Sequence, residues 1–193
     1  MAFMQPAKRV AIIQGEHAVV TQPDTVITTL LGSCIAVCLH DPVSHVGGMN
    51  HFLLGEPGRG QTVAAADMNR YGLHAMELLI NAMMQRGASR LRLTAQIFGG
   101  GNIQAAFGPI GTKNAEFALR FLKTEGIPVG QTNVGGTQAR KVEFRAWEGV
   151  ASCTLVAQAP PVRAVTSSSS GTVPSTTASE WYRVARNGCG TPR

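Results

Sequence analysis

Thr25-Val26-Ile27-Thr28-Thr29-Leu30-Leu31-Gly32-Ser33-Cys34-Ile35-Ala36-Val37-Cys38-Leu39-His40-Asp41-Pro42, followed shortly by Gly48-Met49-Asn50-His51-Phe52-Leu53-Leu54, holds three β-type runs in succession. Thr25 to Leu31 is β-branched and ends at Gly32. Ile35 to Leu39 is stopped by Asp41-Pro42, and Gly48 to Leu54 by Gly55-Glu56-Pro57, so the last two runs read as a hairpin. With its turn centred between Pro42 and Val43, Cys34 faces His51 directly. Directly opposed residues of an antiparallel pair share a face and lie about 4.5–5.5 Å apart at Cα. A thiol and an imidazole so placed can exchange a proton. Spacing alone leaves each residue a second reading: Cys34 as a small buried apolar residue, and His51 as a core histidine satisfied by a carbonyl.

Working outward, Val10 to Ile13 and Ala18 to Thr21 read as short strands, separated by a Gly15 turn and followed by a Pro23-Asp24 break. The segment Met68 to Arg86 has Leu73, Met76, Leu79, Ile80, Met83 and Met84 in one stripe at helical spacing, with Asp67 as N-cap and Gly87 as stop. These methionines read as core. Leu91 to Phe98 is a strand running into Gly99-Gly100-Gly101-Asn102, and Asn114 to Glu125 is a helix closed by Gly126. Strands follow at Ile127 to Thr132, Val142 to Trp147 and Ala151 to Val156. Beyond residue 157 the sequence turns to Pro160-Pro161, Ser167 to Ser170 and Pro174-Ser175-Thr176-Thr177, which has almost nothing to bury. The expected organisation is one domain over 1–157 and a flexible Ser/Thr/Pro-rich tail over 158–193. Glu180-Trp181-Tyr182-Arg183 in that tail reads either as a docking peptide or as a stray aromatic pair.

Composition narrows the function classes. Hydrophobic residues make up 44% of 193, enough to fill one core, whereas aromatics at 6% leave the filling to Leu, Ile, Val, Ala and Met. Of the net charge of +6, the tail supplies half: 1–157 carries 13 Lys and Arg against 10 Asp and Glu. That is too little, and too evenly spread, for a nucleic-acid surface. The four cysteines lack paired C-x-x-C spacing, and His17, His40, His45 and His74 lie in no ligand spacing, so neither a metal nor another cofactor is expected. The 99–101 glycines lack the endings of a phosphate-binding loop. No signal segment or apolar span is legible, and a cytoplasmic protein with reduced thiols and no membrane insertion is expected.

Gly32, just before Ser33 and Cys34, lets the backbone turn sharply and frees amides to face a developing oxyanion. The Cys34 amide and a neighbour are the candidates, and Ser33 reads as a turn residue rather than a second nucleophile. The block Thr28 to Pro42 followed by Gly47-Gly48-Met49-Asn50-His51-Phe52-Leu53-Leu54 resembles the CheD family of chemoreceptor glutamine deamidases. The likeness continues through Tyr71-Gly72, the Met76 to Met84 helix, Ile97-Phe98-Gly99-Gly100-Gly101-Asn102, Ile110-Gly111 with Asn114, Glu125-Gly126-Ile127, Gly135-Gly136 and Arg140-Lys141-Val142, covering roughly 8–157. The family's cysteine, histidine and threonine fall on Cys34, His51 and Thr28. The resemblance implies that Thr28 accepts the His51 ring N–H and fixes which nitrogen faces the thiol. Its neighbour Thr29 reads as strand packing on the other face. A neutral oxygen stabilises imidazolium less than a carboxylate does, which points to slow, specific turnover. Two departures stand out: a glycine in the 99–102 loop where a residue such as alanine is expected, and the tail, which lies outside the family's usual domain.

The resemblance further implies an α+β fold in a layered α/β/β arrangement, with mixed sheets and covering helices, related to cysteine hydrolases such as the cytotoxic necrotizing factor toxins. It implies hydrolysis of glutamine amides, and of glutamate methyl esters, on the cytoplasmic helical bundle of methyl-accepting chemotaxis receptors. A CheC-family chemotaxis phosphatase is an implied second partner, and a monomer is expected. The alternatives are a non-catalytic module that regulates a phosphatase or receptor, and a transglutaminase, which would place an added amine on the glutamine.

Overall fold

A computed structural model describes residues 7–54, 65–103 and 108–156 of the protein. The expectations for Gly55 to Pro57 and for the tail, including Cys189 and the 180–183 peptide, lie outside the described residues. Those residues form nine strands and two helices: β1 (Lys8–Ala11), β2 (His17–Val20), β3 (Thr25–Leu31), β4 (Ile35–Asp41), β5 (Val46–Phe52), α1 (Ala65–Gln85), β6 (Thr94–Gly99), α2 (Ile110–Thr124), β7 (Val129–Val134), β8 (Ala139–Arg145) and β9 (Val150–Val156). They make two mixed sheets, one ordered β1-β3-β8-β9 and the other β2-β5-β4-β6-β7.

The side chains sort into layers by the two-residue period of a strand. In β4, Ile35, Val37 and Leu39 join Met76, Leu79, Ile80, Met83, Phe117 and Phe121 of the helices. Ala36 and Cys38 turn the other way, onto Ile27, Leu31, Val142 and Phe144 of the four-stranded sheet. The five-stranded sheet is therefore covered on both faces: β4 opens with five apolar residues in succession, and every residue of β5 is buried. The order of layers is helices, five strands, four strands, the α/β/β arrangement expected.

The α1 stripe is narrower than periodicity indicated. Met76, Leu79, Ile80 and Met83 are buried at i, i+3, i+4 and i+7, but Leu73 and Met84 are 43% and 44% exposed. They stand one position beside the stripe, and Gly72 takes the place expected of Leu73, letting Phe117 of α2 and Leu54 approach closely. The helix begins at Ala65, so Asp67 lies inside it rather than capping it. At the other end Gly87 N–H donates to Met84 O and Ala88 N–H to Met83 O, a Schellman pair that stops the helix where the glycine indicated.

Two further elements depart from expectation. Residues Arg90–Arg92 form a 3₁₀ turn, not the start of a strand, and Leu91 is 96% exposed. The cause is Asp41: its buried carboxylate takes Nε and Nη2 of Arg92 at 2.9 and 2.7 Å and the Ser89 amide at 2.8 Å, wrapping this segment around itself. Helix α2 starts at Ile110, four residues before Asn114, where Gly111 packs so tightly on the 99–101 loop that a Cβ there would sit 2.3 Å from Gly100 O.

Candidate active site

The chain crosses between the two sheets at one end of the sandwich, through 12–16, 32–34 and 135–138, and the 99–102 loop lies beside them. The hairpin that carries the histidine has a different register from the one expected. Asp41 pairs with Val46 and Ala36 with His51, so the loop is Pro42 to His45. Asp41 Oδ1 accepts the amides of Val43 and Ser44, and His45 adopts φ +52, which builds a four-residue turn rather than a two-residue one. Cys34 therefore stands diagonally before Ala36 instead of directly opposite His51. A shift of two residues keeps the face, however. Like Ala36 and Met49, Cys34 packs with the inter-sheet cluster, and His51 shares the face of Met49.

His51 is 4% exposed. Its Nδ1 lies 2.8 Å from Thr29 Oγ1, and the same oxygen lies 2.8 Å from the Ile12 carbonyl. The hydroxyl has one proton, and the carbonyl can only accept. Thr29 therefore donates to Ile12, and Nδ1–H of the ring donates to Thr29. That assigns the lone pair to Nε2, which is buried with no hydrogen-bond partner among the described residues. Burial lowers the His51 pKa from 6.5 to about 4, against smaller opposing effects of Glu16 and the Ile12 carbonyl. At neutral pH the ring is uncharged, with its basic nitrogen unspent.

The threonine expected to do this was Thr28. Thr28 lies on the other face of β3, level with Ala11 and Glu143, on the side where Arg9, Lys141 and Glu143 form surface ion pairs. Thr29 faces inward with Ile27 and Leu31. Adjacent strand residues point to opposite faces, so only one of the pair can reach the ring.

Behind Cys34, three consecutive carbonyls are tied down. Gly32 O accepts Gly101 N–H at 2.9 Å, Cys34 O accepts Gly100 N–H at 2.8 Å, and Ser33 O accepts Asn114 Nδ2 at 2.7 Å. Gly99, at φ +110, would bring a Cβ to 2.2 Å of Cys34 O, so the 99–102 loop cradles the 32–34 turn at a distance that a side chain at position 99 would not allow. The peptides of the described residues are all trans, so the Cys34 N–H points away from the Asn114 side and the Ser33 N–H away from Gly101. Asn114 is fully buried, and its Oδ1 also takes the Leu54 amide, linking the end of β5 to the turn. Neither this role nor that of the 99–102 loop was legible beforehand, since a helix-borne asparagine and a glycine run have commoner structural uses.

The CheD family profile, described as CheD chemotactic sensory transduction, matches residues 53–154. A protein of Agrobacterium fabrum named probable chemoreceptor glutamine deamidase CheD is 57% identical over 138 residues, 72% of this chain and 75% of its own. One of the same name in Zymomonas mobilis is 50% identical over 155 residues, 80% of this chain and 84% of its own. This chain belongs to the CheD family. Among solved structures, Bacillus licheniformis YfiH gives a TM-score of 0.39 at 16% identity, covering 62% of this chain and 49% of YfiH. Neisseria meningitidis NMB0706 gives 0.35 at 15%, covering 63% and 52%. Among the described residues no group of His, Cys, Asp and Glu could hold a metal ion, and no helix is long and apolar enough to cross a membrane.

Proposed function

We propose that this CheD protein is a chemoreceptor glutamine deamidase in which Cys34 is the nucleophile, His51 the base and Thr29 the group that holds the ring. The observation that carries this reading is the proton count at Thr29, which leaves His51 Nε2 unprotonated on the face that Cys34 shares. The Cys34 thiol gives its proton to Nε2, and the sulfur attacks the side-chain carbonyl carbon of a receptor glutamine. The amides of Ser33 and Cys34 meet the oxyanion on the turn that starts at Gly32. Collapse breaks the C–N bond, His51 returns the proton to the departing ammonia, and a thioester remains. Water, deprotonated by His51, cleaves it to glutamate and restores the thiol. The net change is glutamine plus water to glutamate plus ammonia.

The names of the relatives support chemoreceptor glutamines as the substrate. The family likeness supports the cytoplasmic helical bundle of methyl-accepting chemotaxis receptors as their location and the cytoplasm as the place of action. A CheC-type phosphatase is the second partner on the family likeness alone, and the protein acts as a monomer. The deciding experiment incubates a receptor cytoplasmic fragment with wild type and with Cys34→Ala. A gain of about one mass unit at defined glutamines, from replacing NH₂ by OH, is expected with wild type alone. Conversion by both, or by neither, defeats the assignment, and incorporation of an added primary amine would make the protein a transglutaminase instead.

A further inference from the structure

Gln14 has no part in the reaction as described so far, yet it touches the reacting sulfur. It lies at the middle of the 12–16 segment, which is fastened on both sides to the site. Ile12 O takes the Thr29 hydroxyl, Gly15 N–H donates to His51 O at 2.8 Å, and His51 N–H donates to Glu16 O at 3.0 Å. A turn in which Ile13 N–H meets Glu16 Oε2 and Glu16 N–H meets Ile13 O keeps the segment compact. From this frame the Gln14 side chain reaches Cys34, whose Sγ–H donates to Oε1 at 3.4 Å.

That contact suits the thiol and opposes the thiolate, because an oxygen lone pair beside S⁻ is repulsive. A half-turn about the terminal torsion interchanges oxygen and nitrogen with little change of shape, and Gln14 is exposed, which leaves room for that turn. The carboxamide then presents Nε2–H to the sulfur. Once the sulfur bonds the substrate carbon, the developing oxyanion stands one atom beyond it, within reach of a donor already at the sulfur. The contact also argues that Gln14 is no substrate of its own enzyme. A sulfur that hydrogen-bonds Oε1 lies on the oxygen's outer side, not over the carbonyl carbon, where attack would have to begin.

We propose that Gln14 is a further catalytic residue, whose carboxamide N–H stabilises first the Cys34 thiolate and then the oxyanion. This rests on the deamidase reading, and two arms keep the two apart. The first measures deamidation of the receptor fragment by wild type, Gln14→Met and Gln14→Glu. The second follows alkylation of Cys34 by iodoacetamide against pH, read by peptide mass. Loss of one oxyanion donor typically costs about 10²- to 10³-fold in kcat, and that is expected of Gln14→Met with KM little changed. Its alkylation midpoint should move to higher pH, and that of Gln14→Glu further still, because a carboxylate opposes the thiolate outright. Wild-type kcat and an unmoved alkylation profile in Gln14→Met would overturn the proposal, as would the appearance of glutamate at position 14 in wild type. A wild type inert on the receptor fragment would defeat the deamidase reading instead, and the alkylation arm would still decide whether Gln14 stabilises the thiolate.

Discussion

One hydroxyl proton decides how the site is wired. Thr29 stands between a carbonyl that can only accept and a ring nitrogen that can do either, so the imidazole must supply the second proton and keep its lone pair at Nε2. A carboxylate in the same place would hold the ring equally well and would also stabilise the imidazolium. Threonine gives orientation with little charge stabilisation, which accords with slow, specific chemistry. Replacing Thr29 by Val keeps the shape and removes the oxygen, freeing the ring to rotate and leaving the Ile12 carbonyl without its donor. Partners that orient a metal-bound histidine are typically worth about 10- to 100-fold; by the same measure kcat for receptor deamidation is expected to fall by that factor in Thr29→Val and to return in Thr29→Ser. Thr28→Val, on the solvated face, should leave kcat unchanged, and a steady-state comparison of the three variants checks both statements. A large loss in Thr28→Val with none in Thr29→Val would reverse the assignment. The sequence could not choose between them, because β3 is β-branched on both faces and two adjacent threonines look alike until the strand's direction of exposure is known.

Among the elements, the β4–β5 hairpin and the 99–102 loop divide the work: the first brings the imidazole, the second fixes the turn that carries Cys34. The hairpin's existence, strands and facing were legible, since a two-residue period assigns Cys34 and His51 to one face in either register. The register itself was not, because it depends on Asp41 accepting two turn amides and on His45 entering the left-handed region, which no hydrophobic pattern reports. The turn's support was hidden for a related reason: Asn114 is some eighty residues from Ser33 in the chain, and only the closed fold brings its Nδ2 to the Ser33 carbonyl. Asn114→Ala should therefore loosen the Cys34 turn, the proposed nucleophile's seat, as well as the fold. Leaving the buried Leu54 amide unpaired costs roughly 1–3 kcal/mol, seen as a lower urea midpoint. The Ser33–Cys34 peptide, no longer tied, should reduce kcat more than it raises KM. A variant that is destabilised but turns over at the wild-type rate would show that Asn114 only supports the fold.

For the described fold taken whole, two buried polar groups make stability depend on acidity in a calculable direction. His51 is neutral in the inter-sheet layer, with its pKa lowered from 6.5 to about 4, chiefly by burial. Asp41 is charged at the far end of β4, with its pKa driven below the carboxylate range chiefly by Arg92. Between pH 6.5 and 4 the unfolded chain takes up a proton at His51 that the folded chain refuses, so stability rises with pH across that window and falls on acidification. The stabilisation from Asp41 is present above pH 3.8 and is lost only below it, as pH falls toward the lowered value. The two effects therefore act in separate ranges. The shift at His51 is worth on the order of 3 kcal/mol, a large part of the roughly 5–15 kcal/mol that holds an ordinary domain together. Urea midpoints measured from pH 7 to pH 4 should fall steeply for wild type. In His51→Gln, which keeps an N–H donor and cannot titrate, the same curve should be nearly flat down to pH 4 and bend only below it. Parallel curves for the two proteins would mean that His51 is protonated in the fold well above pH 4, and with that the neutral, Nε2-basic ring on which the proposed chemistry begins would be lost.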